Sequence, residues 1–261
     1  AMGQQACCQP EGSCGAVDDV KTGPKFATQE GRPAHTWPDG SSYTGEWLGT
    51  SRHGHGVQVW ADGARYDGQW EDDTAHGEGR FDHADGDVYE GQWDHDKASG
   101  TGTYTHVNGS KYDGQWEGDK QQGNGTETWP DGATFTGPYI AGLKEGDGVF
   151  DWSDGSSYKG QFIKNDIDGQ GTYTWADGRK CEGQWQQNKM HGRGKFWWPD
   201  GRMYDGGYEQ DEKCGQGKFT WPDGRSYEGQ WKSGKQDGSG VLTNAKGDKI
   251  KGKWQSGKRV E

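Results

Sequence analysis

An aromatic-x-Gly-x-aromatic run starts at Tyr43 and returns at Tyr66, Tyr89, Tyr112, Phe135, Tyr158, Cys181, Tyr204, Tyr227 and Ile250, each start 23 residues after the last, with no insertion. A fixed period of this length is the mark of stacked supersecondary units. One such unit cannot bury a face by itself, so neighbours must supply each other's core. Within a period the order is Tyr43-x-Gly45-x-Trp47, six variable residues, Gly54-x-Gly56, three more positions, then Trp60-x-Asp62-Gly63. The last element recurs as Trp129-Pro130-Asp131-Gly132 and Trp221-Pro222-Asp223-Gly224. Pro-Asp-Gly between two strand-like runs is a type I turn with glycine in the left-handed region, which closes a β-hairpin with a bulge. Each period therefore reads as two short antiparallel strands and two reversals.

Side chains alternate along a strand, so Tyr43, Gly45 and Trp47 share one face while Thr44 and Glu46 share the other. On the second strand Gly54, Gly56, residue 58 and Trp60 line up in the same way. The equivalents of Gln58 are mostly Phe or Tyr: Phe81, Tyr104, Phe150, Tyr173, Phe196 and Phe219. If Trp47 closes the six-residue loop opposite Gly54, Gly45 faces Gly56 and Tyr43 faces Gln58. The turn at Asp62-Gly63 gives the same rows, with Gly68 facing Gly56, Tyr66 facing Gln58 and Trp70 facing Gly54. The expected sheet carries a tryptophan/glycine row, an all-glycine furrow, a Tyr/Phe ladder and a second tryptophan row near the turn. Strand glycine marks a place where something approaches the backbone closely. Here the rings can lie over it and give a single sheet its own core.

Composition supports this reading. Only 27% of the 261 residues are hydrophobic, too few for a layered globule, yet aromatics reach 13%, too many for a disordered chain. A formal charge of −12 argues against a nucleic-acid binder, which needs a basic stripe to meet phosphates. No run of about 18 apolar residues offers a membrane-spanning helix. Five cysteines, Cys7, Cys8, Cys14, Cys181 and Cys214, are an odd set in a chain well above disulfide-scaffold size, so a reducing compartment is the expectation. No signal peptide is legible.

The fold expected is all-β: an elongated, twisted, single-layer antiparallel sheet of tandem 23-residue hairpins, roughly 85 Å long at about 4.8 Å per strand. Residues 1–30 form an amino-terminal tail and 31–42 a degenerate partial repeat. Residues 43–254 form the array, nine full repeats and a partial tenth, and 255–261 a carboxyl tail. Pro138 sits where a strand amide belongs, so a kink or weakened pairing is expected near the fifth repeat.

The pattern Tyr-x-Gly-x-Trp, Gly-x-Gly, Asp-Gly closely resembles the MORN (membrane occupation and recognition nexus) repeat. The resemblance implies an elongated antiparallel sheet, scaffolding of membrane-linked or cytoskeletal structures, binding of protein partners and, in some members, self-association. Lipid binding is also attributed to the family. Three roles follow: a non-catalytic scaffold, a fixed subunit of a large assembly such as a ciliary or photosynthetic complex, or the targeting module of a larger enzyme. An array of this kind could also pair with a second copy through its ends.

Candidate sites fall into four groups. With Met2 as initiator, Gly3 is exposed on its removal and Cys7 and Cys8 follow; this resembles a myristoylation and palmitoylation signal, against a plain or processed tail. It would place the chain on the cytoplasmic side of a membrane or on the cytoskeleton. The aromatic face comprises Tyr43, Trp47, Tyr66, Trp70, Tyr89, Trp93, Tyr112, Trp116, Tyr139, Tyr158, Trp185, Tyr204, Tyr227 and Trp231. It is hot-spot material and also the only core on offer. In the variable loops Ile140, Leu143, Ile163, Ile167 and Met190 make either a partner patch or packing against the rod. Finally, Lys246, Lys249, Lys251, Lys253, Lys258 and Arg259 either blunt an edge strand or meet anionic lipid. No cofactor or metal is expected: His53-Gly54-His55 has no companion cluster along the chain, and Asp166-Ile167-Asp168-Gly169 lacks the remaining calcium ligands. The Gly-x-Gly pairs precede no helix and cradle no phosphate. No catalytic motif is present, so the chain is not expected to be an enzyme.

Overall fold

The computed structural model describes residues 33–261, which form one 22-stranded antiparallel sheet. No helix occurs among the described residues. Strands pair with their neighbours in the chain, from His35–Thr36 at one edge to Lys258–Arg259 at the other. Residues 1–32, and with them Gly3, Cys7 and Cys8, lie outside the described residues.

The turn carried by Asp-Gly is as expected. At Trp129–Ala133 the Gly132 amide donates to the Trp129 carbonyl (2.9 Å), the Trp129 amide to the Ala133 carbonyl (2.9 Å), and Gly132 has φ of +90°. The rows beside it also match: Gly56 faces both Gly45 and Gly68, and Gln58 faces Tyr43 and Tyr66.

The far end differs from the expectation. The six variable residues are not a loop. Arg65–Glu71 and Thr74–Asp82 continue to a two-residue turn at Asp72 and Asp73, both at positive φ (46° and 69°). This is the turn whose twist suits a hairpin. Within the hairpin Trp70 therefore faces Ala75, and Trp47 faces Arg52 instead of Gly54. The register is recovered by a bulge in which His76, Gly77 and Glu78 stand opposite Gln69 alone. Sequence alternation cannot anticipate this, because a bulge resets which face a residue occupies. Gly77 (φ +63°) and Gly54 thus leave the tryptophan/glycine row and lie on the polar side, where a Cβ would strike Gln69 or Glu46. The glutamine caps the bulge, its Oε1 accepting from the Glu78 amide at 2.9 Å, and Gln92, Gln115, Gln161, Gln184 and Gln230 do the same.

A second device joins consecutive hairpin tips. Asp96, in the left-handed region, accepts the Ala75 amide on Oδ1 (2.7 Å) while its own amide donates to the Ala75 carbonyl (3.0 Å). Asp73, Asp119, Asn165, Asn188 and Asp211 repeat the carboxylate or amide half of this staple. Asp and Asn tolerate positive φ and supply an oxygen at the right reach.

The core lies on one face. Tyr43, Tyr66, Tyr89, Tyr112, Phe135, Tyr158, Cys181, Tyr204 and Tyr227 are buried, none more than 2% exposed. Each tyrosine ring covers the furrow so closely that a Cβ on Gly56 or Gly79 would collide with it. The hydroxyl is satisfied by the backbone at the bulge: Tyr66 Oη donates to the Gln69 carbonyl at 2.9 Å, Tyr89 to Gln92 at 2.8 Å. Tryptophans wedge edge-on between successive tyrosines, with Tyr66 centred 5.0 Å from Trp70 and 5.2 Å from Trp93. Trp70 Nε1 donates to the Gly56 carbonyl at 3.0 Å and so ties one repeat to the one before it.

Pro138 weakens pairing as its missing amide requires. Its carbonyl accepts from the Glu145 amide (3.0 Å), so the amide would have pointed to the same strand. That strand is split there into Leu143–Lys144 and Gly146–Asp151, whereas the opposite side, Thr134 to Tyr139 against Gly123 to Thr128, stays continuous.

Candidate functional site

Twelve of the fourteen residues expected on the aromatic face are buried, from Tyr43 at 0% to Trp47 at 9%, and only Trp93 and Trp116 are half-exposed. These rings close the furrow and hold the repeats together. The accessible aromatic surface is the adjoining pair of rows, the equivalents of Gln58 and the turn tryptophans. From Trp129 to Trp221 these rows interleave into one ladder of nine rings: Trp129, Phe150, Trp152, Tyr173, Trp175, Phe196, Trp198, Phe219 and Trp221. Successive centroids are 4.3 to 5.6 Å apart. All but Phe219 are half-exposed. A second run, Trp60, Phe81, His83, Tyr104 and His106, lies in the earlier repeats. Glu127 takes the ring position between the two runs. The recurrence of aromatics at position 58 was the sequence signal, but burial alone decides which row is core and which is surface.

At the carboxyl half of the ladder a cleft of about 540 Å³ opens between the turn row and the hairpin tips, walled by Trp175, Phe196, Trp198, Tyr208 and Lys213 among others. Lys213 Nζ stands 5.0 to 5.4 Å from the ring centroids of Trp198, Tyr204, Phe219 and Trp231. Burial, with Arg202 adding a smaller like-charge contribution, holds its pKa below the usual lysine value. Among the described residues it has no carboxylate partner. No sequence argument singled it out, because a lone lysine in a variable stretch reads as solvated.

The variable-stretch apolar residues separate. Ile140 (56% exposed), Leu143 and Ile163 face solvent near the tips, whereas Ile167 and Met190 are buried in the core cluster. The reason is register: Ile167 faces Phe162 and Met190 faces Trp185, on the aromatic side. The five do not form one patch. The basic carboxyl end is exposed, with Lys253 paired to Glu261 (2.8 Å) and Arg259 donating to the Glu261 carbonyl (2.8 Å). The tip geometry brings together residues that lie apart in the chain: His76, Asp94 and His95 converge, their ligand atoms all within 4.8 Å of one another, and Glu71 stands 3.4 Å behind His76. Cys181, in the tyrosine row, is sealed, and burial pushes its thiol up to about 12.

Fold and site together define an open array of β-hairpin repeats whose aromatic face is half core and half surface. A family model described as MORN repeat matches nine consecutive units, residues 43–65, 66–88, 89–111, 112–134, 135–157, 158–178, 181–201, 204–224 and 227–249. The chain belongs to the MORN repeat family. No curated protein matches it. Among solved structures it is similar to the TCP10 domain of Danio rerio CPAP in complex with a peptide of Danio rerio STIL, at 13% identity and a TM-score of 0.45 over 85% of this chain and 99% of that one. It is also similar to the Drosophila melanogaster SAS-4 TCP domain in complex with a proline-rich motif of Ana2, at 13% identity and a TM-score of 0.38 over 69% and 95% of the two chains.

Proposed function

We propose that the chain is a non-catalytic scaffold that holds a segment of a protein partner along the ladder from Trp129 to Trp221, and that it is tethered at the cytoplasmic side of a membrane through Gly3, Cys7 and Cys8. The observation that carries the partner reading is the ladder itself. Nine contiguous rings, eight of them half-exposed, are far more apolar surface than single scattered side chains, and aromatic rings of this kind dominate protein interfaces. The Tyr row beneath already satisfies the sheet's need for a core, so the outer rings remain free to take a partner. The most strongly perturbed thiol, Cys181, is buried in the tyrosine row.

The test is capture from the native source with the full chain against a Trp152→Ser/Trp175→Ser variant. The reading expects specific partners to be retained by the wild type and lost by the variant, with the far-ultraviolet spectrum unchanged; the same proteins retained by both would refute it. The tether is tested separately by metabolic labelling with a myristate analogue, and an unlabelled wild-type chain removes it.

A further inference from the structure

The array contains an internal control for the Lys213 cleft, three repeats earlier. There Lys144 occupies the position equivalent to Lys213, with Nζ 5.0 to 5.4 Å from the centroids of Trp129, Phe135 and Tyr139. Glu127 completes that cluster. Its Oε2 takes Lys144 Nζ at 2.6 Å and accepts from Tyr139 Oη at 3.1 Å, so one carboxylate serves both donors. Three repeats on, Tyr208 replaces Tyr139 and Lys213 replaces Lys144, but Phe196 stands where Glu127 was. Both donors survive and their acceptor is gone. Tyr208 Oη is buried with no hydrogen-bond partner, and Lys213 has no ion pair among the described residues. An unsatisfied buried hydroxyl and an unpaired, partly desolvated ammonium are each unfavourable. Both residues line an open cleft.

We propose that this cleft takes the carboxylate of an aspartate or glutamate on a bound peptide, with Tyr208 Oη and Lys213 Nζ as its donors. The proposal rests on the partner reading above and adds the chemistry of the anchor. Asp211 and Glu212 also border the cleft, but neither is paired with Lys213. They lie at the hairpin tip and, by repulsion, would select for a ligand whose acid enters on the ladder side. The rings around the cleft exclude water from the ion pair, which strengthens it relative to a surface contact.

The experiment uses the full chain and a library of random peptides displayed on phage. Recovered peptides are expected to share an Asp or Glu flanked by apolar residues. In synthetic form the leading peptide should lose about tenfold or more in affinity when that Glu is changed to Gln, or when the protein carries Lys213→Met. Tyr208→Phe should cost less, and Phe196→Glu, which supplies the acid from within as Glu127 does, should abolish binding. If Phe196→Glu does not fold, the Lys213→Met and Glu-to-Gln arms decide. Peptides lost in Trp198→Ala but indifferent to Lys213→Met and to the Gln exchange would overturn the carboxylate anchor and leave the ladder reading intact. Tighter binding when phosphoserine replaces the Glu would also overturn it, in favour of a phosphate site. No recovered peptide, or peptides indifferent to Trp175→Ala and Trp198→Ala, would overturn both.

Discussion

Replacing Gly114 by alanine tests the claim on which the whole sheet stands, that the furrow is glycine because rings sit on it. A Cβ there would lie 2.5 Å from Tyr112 Oη and 2.6 Å from the Gly125 Cα across the strand pair. Ordinary contacts are about 3.5–4.0 Å, so the ring must move by about 1 Å and the strands must also part, since moving the ring leaves the contact with Gly125 unrelieved. The ring's departure loosens the edge contacts with Trp116 and Tyr139, both centred 5.1 Å away, and the hydroxyl bond to the Gln115 carbonyl at 3.0 Å. Two ring pairs at about 0.5–1.5 kcal/mol each and one hydrogen bond near 1 kcal/mol give a loss of about 2–4 kcal/mol. The comparison is Gly118→Ala at the adjacent turn, where nothing lies within 4 Å and only the positive φ of 55° is strained. That change should cost about 1 kcal/mol. Urea unfolding followed by far-ultraviolet circular dichroism measures both. If Gly114→Ala costs no more than Gly118→Ala, the rings do not lie on the furrow and the account of the core is wrong.

Three further outcomes are expected. Lys144→Met leaves Glu127 without its cation and should lower stability by about 1–3 kcal/mol, whereas Lys213→Met should raise the melting temperature at neutral pH. The sign follows from linkage: the folded pKa of Lys213 is depressed, so its protonation opposes folding at neutral pH and the handicap fades only as pH rises toward the ordinary lysine value near 10.4. A melting temperature lowered equally by both changes would refute the contrast. Ile167→Ser should destabilise by about 2–4 kcal/mol because it opens a buried site, and Ile140→Ser should be close to neutral; equal effects in a thermal melt would contradict the burial difference. Alkylation of the native protein mapped by mass spectrometry should label Cys214 well ahead of Cys181, whose thiolate forms only near pH 12 or on unfolding; equal labelling at pH 8 would show that Cys181 is not sealed.

Much of this was legible in the chain. The 23-residue spacing fixed the number of hairpins, and Asp-Gly fixed one turn of most of them, with Asn108-Gly109 and Lys246-Gly247 in its place, because the glycine encodes a local backbone conformation that does not depend on partners. The meeting of Gly45 with Gly56 and Tyr43 with Gln58 followed from counting outward from that turn. Pro138 announced its own broken pairing because the missing amide is a covalent fact.

What only the tertiary structure decided begins at the second turn. The bulge at His76, Gly77 and Glu78 and its equivalents in the other hairpins reset the alternation, moved Gly54 and Gly77 to the polar side and turned Ile167 and Met190 inward, since register is a property of two strands and not of one. The choice of which aromatic row is sealed and which is exposed also lay beyond the sequence, as both rows carry the same residue types. Burial depends on how successive hairpins lean on one another. The unpaired Lys213 and Tyr208 are visible only beside Lys144, Tyr139 and Glu127, because whether a charge has a partner is settled by distance across strands far apart in the chain.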